Sequence, residues 1–389
     1  MRLLRFLTAG ESHGPVLTGI LEGMPAGLSI GTEFIDAELA RRQMGHGRGG
    51  RMKIETDQAE ILSGVRRGKT LGSPISLQVR NRDWKNWTKI MNAEPGGDES
   101  LRRVNIPRPG HADHAGGVKY GHTDLRNVLE RASARETAMR VAVGSVARRL
   151  LEELGVTIGS RVVSIGNAVD KKDISGVSAA ELSKLADKSS VRCLTEEIEK
   201  RMIQEIDAVK EAGDTLGGIF EVVVDGLPVG LGSYTQWDRR LEGDLAKAFL
   251  SLNAIKGVEF GLGFESARRR GSEVHDPLYW NSDKTRVIRK TNRSGGIDGG
   301  LTTAEPLVLR AAMKPISTLM TPLDSVDLDT GEAVKAHVER SDYCAVPAAS
   351  VIGETLVALE LADAMLVKFG GDSLEELSGR VSAWRNEKG

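Results

Sequence analysis

Apolar residues recur along the chain with two spacings, and the segments that carry neither are as informative as those that do. Val16 to Leu21 is a short apolar run closed by Gly23-Met24-Pro25, the pattern of a strand entering a turn, and Gly27-Leu28-Ser29-Ile30 is a second apolar stretch. From Glu33 to Met44 the spacing becomes helical, with Phe34, Ile35, Leu39 and Met44 predicted toward the core and Gly45 as the stop. Strand patterns return at Ala59 to Val65, Ile75 to Val79, Val156 to Ile165 and Leu307 to Met313. Between Asp124 and Leu154, Leu125, Val128, Leu129, Ala132, Met139, Val143, Val146, Leu150 and Leu154 lie three and four apart, which predicts a central helix. An acid-rich helix is predicted over Thr195 to Glu211 and an Ala-rich core helix over Pro347 to Phe369.

Residues 80–123 lack periodicity but are rich in Gly, Pro, His, Arg and Trp, and a second irregular run spans Ser266 to Thr303. Segments this long without a regular pattern are more often functional loops than connectors. Glu22-Gly23-Met24-Pro25-Ala26-Gly27-Leu28 is echoed by Asp225-Gly226-Leu227-Pro228-Val229-Gly230-Leu231 at a spacing of 203 residues, each after an apolar strand. The same offset carries the helix at 134–154 onto 337–357, which points to a pseudo-duplicated core. The predicted fold is therefore α+β with antiparallel hairpins, one compact unit over residues 1–389.

Charge then narrows the ligand classes. Lys and Arg total 53 against 54 Asp and Glu, so no global field draws nucleic acid or an anionic membrane, and any anion must be held by local arginines. Aromatics are 4%, leaving few platforms for stacked bases. Cys193 and Cys344 are too few for a disulfide framework or thiolate metal site, and no run approaches the ~20 apolar residues of a membrane span. The expectation is a cytoplasmic protein with no nucleic-acid, membrane or metal partner.

Seven histidines occur, and His13, His46, His111, His114 and His122 lie in the first 122 residues among glycines and arginines. His13 sits in Thr8-Ala9-Gly10-Glu11-Ser12-His13-Gly14; a surface histidine is the plain alternative, but the flanking glycines favour a positioned side chain on a tight loop. Gly45-His46-Gly47-Arg48-Gly49-Gly50 matches a dinucleotide fingerprint by letter, yet a helix ends where one should open. It reads better as an anion clamp, with Arg41, Arg42, Arg48 and Arg51 as forked donors. His111-Ala112-Asp113-His114 could offer metal ligands, but Arg103 and Arg108 beside it disfavour a cation and favour a histidine acting on an oxyanion. Ser12 and Ser133 lack the elbow of a hydrolase nucleophile. Asn253-Ala254, Gly299-Gly300 and Lys314 to Thr318 are small, polar stretches of the type that lines a site for a heteroaromatic ring and its phosphate.

These segments, taken in order, resemble the chorismate synthase family over essentially the whole chain. The resemblance rests on Thr8 to Gly14, Gly45 to Arg51, Arg108-Pro109-Gly110-His111-Ala112-Asp113, Arg131 to Glu136, Arg293 to Asp298 with Gly299-Gly300, Lys314 to Thr318 and Arg340-Ser341-Asp342. It implies a sandwich of long central helices between antiparallel sheets, assembled as a homotetramer. It also implies 1,4-anti elimination of phosphate from 5-enolpyruvylshikimate 3-phosphate, requiring reduced FMN without net redox change. On this chain it gives His13 as the acid for the leaving phosphate, His111 as the histidine favouring the anionic flavin, and Asp342 as the acid assisting flavin N5. Arg42, Arg48 and Arg51 match substrate-binding positions, with Arg135 and Arg340 helping. Arg131, Ala132, Ser133, Asn253, Ala254, Gly299, Lys314, Pro315, Ile316, Ser317, Thr318 and Arg340 match flavin-binding positions. No inserted segment suggests self-sufficient flavin reduction, so an external flavin reductase or other source of reduced FMN is expected. The rivals are a flavin oxidoreductase acting on an anionic metabolite, and an anion- or nucleic-acid-binding module built on the arginine tract.

Overall fold

The computed structural model describes residues 3–49, 56–96, 98 and 100–388. The first half comprises β1 (Arg5–Ala9), β2 (Val16–Glu22), α1 (Thr32–Gln43), β3 (Ala59–Ser63), the two-residue strands β4 (Val65–Arg66) and β5 (Lys69–Thr70), β6 (Ile75–Arg80), α2 (Asp113–Tyr120), α3 (Arg126–Ala132) and α4 (Thr137–Glu153). The second begins with β7 (Thr157–Ile165), β8 (Ala168–Val169), α5 (Ala179–Ala186), α6 (Glu196–Ala212), β9 (Gly218–Asp225), α7 (Leu241–Leu250) and β10 (Ile255–Phe260). It continues through α8 (Gly271–Val274), β11 (Leu278–Trp280), β12 (Val287–Arg289), β13 (Ile297–Asp298), β14 (Leu301–Thr302), β15 (Leu307–Met313), β16 (Asp324–Val326), β17 (Ala333–Lys335), α9 (Val346–Phe369) and α10 (Leu374–Lys388).

Two antiparallel sheets enclose the long helices. One has the order β1-β2-β6-β3, the other β10-β15-β9-β7-β8. Helix α4 lies on the first sheet, where Gly19 of β2 gives room for Met139 and Val143; α9 lies on the second, where Gly353 meets Phe220 and Val222. The two helices pack on each other, with Gly144 of α4 against Thr355 of α9. Every α9 residue from Val346 to Ala362 is buried, the carboxylates of Glu354 and Glu360 included, as a central position in the fold imposes.

The halves share a topology. Read within its half, β1-β2-β6-β3 and β7-β9-β15-β10 give the same order, with a helix after the second strand (α1, α7) and a longer one after the fourth (α4, α9). The turn after the second strand repeats in detail. Thr70 Oγ1 donates to the Pro25 carbonyl at 2.6 Å and accepts the Leu28 N–H at 2.9 Å. Thr302 Oγ1 donates to the Pro228 carbonyl at 2.6 Å and accepts the Leu231 N–H at 2.8 Å. Gly23 and Gly226 both need positive φ, +99° and +81°, and a Cβ on either would strike a backbone oxygen, of Leu3 or of Gly155. The spacing of equivalent positions widens from 203 at Gly23 and Gly226 to 232 at Thr70 and Thr302, because α8, β11 and β12 are inserted between.

The predicted helix over 124–154 is not continuous. Ser133 is extended (φ −66°, ψ 143°) and accepts the Arg135 N–H on its hydroxyl, separating α3 from a single 3-10 turn and α4. Met44, predicted toward the core, is 51% exposed, whereas Ile35 and Leu39 are fully buried.

Candidate active site

The break at Ser133 decides which arginines face inward. Arg131, before it, turns outward to the Thr8 carbonyl (2.9 Å) and hydroxyl (2.8 Å), while Arg135, after it, is buried. A cavity of about 590 Å³ opens at this break. It lies where the C-terminal ends of α1 and α7 meet the N-terminal ends of α4 and α9, so both halves contribute equivalent elements and two helix N-termini bias it toward anions.

One wall is cationic. Asp57 is shared by Arg42 Nη1 (3.3 Å) and Arg135 Nη1 (2.5 Å); Arg42 Nε also donates to Thr137 Oγ1 (3.1 Å), and Arg135 Nε to Asn81 Oδ1 (2.9 Å). Burial, together with the like charges of Arg48 and Arg135 and against the pull of Asp57, lowers the Arg42 pKa to about 10. Such crowding favours an incoming anion. Arg48 pairs with Asp342 Oδ2 (2.9 Å), while Asp342 Oδ1 accepts the Gly49 N–H (2.6 Å). The glycine tract is thereby fastened to the segment that brings Ser341 and Arg340 to the cavity. Gly49 is required there, since a Cβ would lie 2.6 Å from the Ser341 carbonyl oxygen.

The histidines occupy separate places. His13, on the β1–β2 turn, has Nδ1 2.9 Å from Glu130 Oε1 and stacks on Trp87, ring centroids 3.7 Å apart. His111 Nδ1 lies 2.6 Å from Asp113 Oδ1 and 3.0 Å from Arg108 Nη2. A carboxylate only accepts, so the shorter contact places the proton on Nδ1, facing Asp113. Burial opposes charge on Asp113, but hydrogen bonds from His111 and Arg108 and their charges hold its pKa well below the carboxylate range. Arg108 Nη1 donates to Thr318 Oγ1 (2.9 Å) and Lys314 Nζ to the Gly110 carbonyl (2.5 Å), joining the 107–113 loop to 314–318. Asn253 Nδ2 reaches the Ala132 carbonyl (2.9 Å), and Lys314 N–H the Ala254 carbonyl (2.9 Å). Leu129, Leu252, Met313, Ile316 and Ile352 make the remaining wall apolar.

The family model for chorismate synthase matches residues 4–366. The chain belongs to the chorismate synthase family. It is 56% identical over 384 residues to chorismate synthase of Brevibacillus brevis, covering 98% of each chain. It is 54% identical over 387 residues to chorismate synthase 2 of Bacillus cereus, covering 98% of this chain and 99% of that one. A crystal structure of chorismate synthase matches with a TM-score of 0.80 at 46% identity, over 99% of this chain and 98% of the other. The mixed helix-and-sheet fold agrees with that structure.

Of the residues singled out from sequence, the cavity collects His13, Arg42, Arg48, His111, Ala132, Ser133, Arg135, Asn253, Ala254, Lys314 to Thr318, Arg340 and Asp342. Arg131 and Gly299 do not line it; Gly299 is exposed in the β13–β14 turn, and Arg51 is outside the described residues. His46 Nε2 pairs with Asp207 Oδ1 (2.7 Å), His114 is exposed, and the His122 ring lies 6.2 Å from that of Tyr120. Trp87 and Arg102, which line the cavity, and Glu130 and Asp57, which pair with its residues, belong to no motif in the sequence. Two tryptophans close together in the aperiodic 80–123 segment, of five in the chain, were the available signal for Trp87.

Proposed function

We propose that this chain converts 5-enolpyruvylshikimate 3-phosphate to chorismate by 1,4-anti elimination of phosphate, with reduced FMN in the same cavity and no net redox change. Family membership supports a lyase of aromatic biosynthesis acting on a phosphate, in a family whose members are flavin-dependent. The observation that carries the reading is the crowded arginine wall, Arg42, Arg48 and Arg135, at the N-terminal ends of α4 and α9. A substrate with a phosphate and two carboxylates brings roughly four negative charges to this wall. Forked guanidinium donors suit both kinds of group.

The donor set also suits FMN. Lys314, Ser317, Thr318 and Arg340 offer cations and hydroxyls for its phosphate, and the apolar wall with Asn253 and Ala254 suits its ring. When bound, reduced flavin would supply electron density and basicity to the elimination. His13 gives a proton to the departing phosphate as the C–O bond breaks, so the leaving group departs as a weaker base. His111, its Nδ1–H directed to Asp113, favours the anionic flavin. Asp342 would be the acid assisting the flavin and, through Gly49 and Arg48, holds the substrate-side loop. Arg51 joins the substrate arginines, and Arg131 and Gly299 the flavin contacts.

The chain acts as one unit over residues 1–389, supported by a core cluster running from Leu4 to Val381. It works in the cytoplasm as a homotetramer, supplied with reduced FMN from outside. Leu7 (73% exposed) and Ile20 (42%) on the outer face of the first sheet support subunit contacts there. Charge balance and sparse aromatics argue against nucleic acid, and no described helix is long and apolar enough to cross a membrane.

An anaerobic assay with the enolpyruvyl substrate and reduced FMN tests the reading. Phosphate should be released while flavin stays reduced, and His13→Ala should lower turnover ~10²-fold or more with FMN binding retained. Consumption of one reducing equivalent per product would make the enzyme an oxidoreductase instead, and unchanged turnover would remove His13 from its role.

A further inference from the structure

Glu130 has no part in the roles above, although its side chain is buried against a cavity histidine. Its carboxylate accepts the His13 backbone N–H (2.8 Å) on Oε2, lies 2.9 and 3.1 Å from His13 Nδ1, and pairs with Arg126 Nη1 at 3.0 Å. Its own carbonyl accepts the Ser12 N–H at 2.9 Å. One residue of α3 therefore fixes both the backbone of the β1–β2 turn and the ring it carries. The ring is held from another side by its stack on Trp87, whose indole N–H donates to Asp83 at 3.0 Å. Arg126 is in turn paired with Glu339 (3.1 Å), next to Arg340, so the contact chain crosses from the first half to the second.

We propose that Glu130 is a positioning residue for the elimination, committing Nδ1 of His13 so that the proton reaching the phosphate leaves from Nε2. Nδ1 keeps its proton toward Glu130, because the carboxylate has only lone pairs to offer. As the C–O bond breaks, its electron pair goes to the phosphate oxygen and the Nε2 proton moves to the phosphate. His13 is left as the neutral Nδ1–H tautomer and regains its proton from solvent. Burial works against charge on Glu130, but the His13 hydrogen bonds and the charges of His13 and Arg126 keep its pKa below the usual range, so it stays an acceptor throughout. Without Glu130 either nitrogen can carry the proton of neutral His13, and the ring loses its lock.

The proposal rests on His13 being the phosphate acid, and a double-mutant cycle keeps the two apart. The wild type, Glu130→Ala, His13→Ala and the double variant are compared anaerobically with reduced FMN. Glu130→Ala should lower kcat about tenfold to a hundredfold with KM within about twofold, and the double variant should be no slower than His13→Ala alone. Glu130→Gln, whose amide oxygen still accepts the Nδ1–H, should recover part of the loss. Unchanged kcat in Glu130→Ala, or a loss that multiplies with that of His13→Ala, overturns the positioning role; unchanged kcat in His13→Ala overturns the acid itself. If Glu130→Ala does not fold, Glu130→Gln decides: a lower kcat at unchanged KM supports the role, and wild-type kcat overturns it.

Discussion

Arg41 and Arg42 are adjacent on α1 and meet opposite surroundings. Arg41 points to the side of the core where Glu354 is fully buried on α9, and it pairs with Glu354 (2.7 Å), Glu38 (2.7 Å) and Asp187 (3.0 Å). Arg148 reaches Glu354, Glu38 and Glu152, and Arg192 reaches Glu354 and Asp187, so these three cations face four carboxylates. Among the described residues, Arg42 and Arg135 both pair with Asp57, and Arg42 feels the repulsion of Arg48 and the attraction of Asp342 as well. Burial alone does not distinguish the regions, since it pushes Arg192 in the first cluster down to about 10 as well. The adjacent pair does differ: Glu354 and Glu38 hold Arg41 above its ordinary value against burial, whereas burial prevails at Arg42. A cluster whose charges close among themselves ties helices together, and one whose guanidiniums line a cavity is arranged for a ligand.

The largest expected effect is on the closed cluster. Glu354→Gln strands Arg41, Arg148 and Arg192 without their common carboxylate and should cost about 3–5 kcal/mol of folding stability, read by urea unfolding. A loss below about 1 kcal/mol would erase the contrast. Next is the open cluster: Arg42→Met should raise KM for the enolpyruvyl substrate roughly tenfold to a hundredfold, as expected for a lost charge-assisted hydrogen bond. It should destabilise the fold less than Glu354→Gln does, and Arg41→Met should show the reverse balance. Equal behaviour of the two arginine variants in both assays would break the comparison.

The smallest effect is with pH, on the carboxylate beside the site. A hydrogen bond from His337 is the main influence on Glu339; burial opposes it, Arg126 adds to it, and the pKa falls from its ordinary 4.5 to about 2. Because the folded value is the lower one, the stabilisation is present above about pH 4.5 and is lost as pH falls through about 2. Acid titration followed by circular dichroism should show stability declining across this window, and Glu339→Gln should flatten that part of the curve.

Long apolar periods were the most legible features of the chain. Leu307–Met313 and the helix ending at Phe369 have the predicted bounds to within a residue. The strand β1 and helix α7 leave little pattern in the sequence: β1 carries Leu7 outward, which blurs its alternation, and α7 is short. The interruption at Ser133 was hidden because α3 and α4 keep apolar residues at helical spacing on both sides, whereas the break rests on one extended residue and one hydroxyl contact. Cavity-lining residues with telling types, His13, His111, Lys314 and Asp342, stand out in the sequence. Asp57 and Glu130 could not, since each matters only through partners brought to it by folding, Arg42 and Arg135 for one and His13 for the other.

The meeting of α1, α4, α7 and α9 at one cavity also sets when the enzyme can begin to work. Its lining runs from Ser12 to Ile352, and Gly49 is fastened by Asp342, so the mouth cannot close until nearly the whole chain has been synthesised. A chain growing from the ribosome can form β1, β2 and α1 early, yet its arginines then face water, where anions bind them poorly. Activity should therefore arrive in one late step with the docking of α9, and a truncated product of translation would lack the closed cavity and should be inactive.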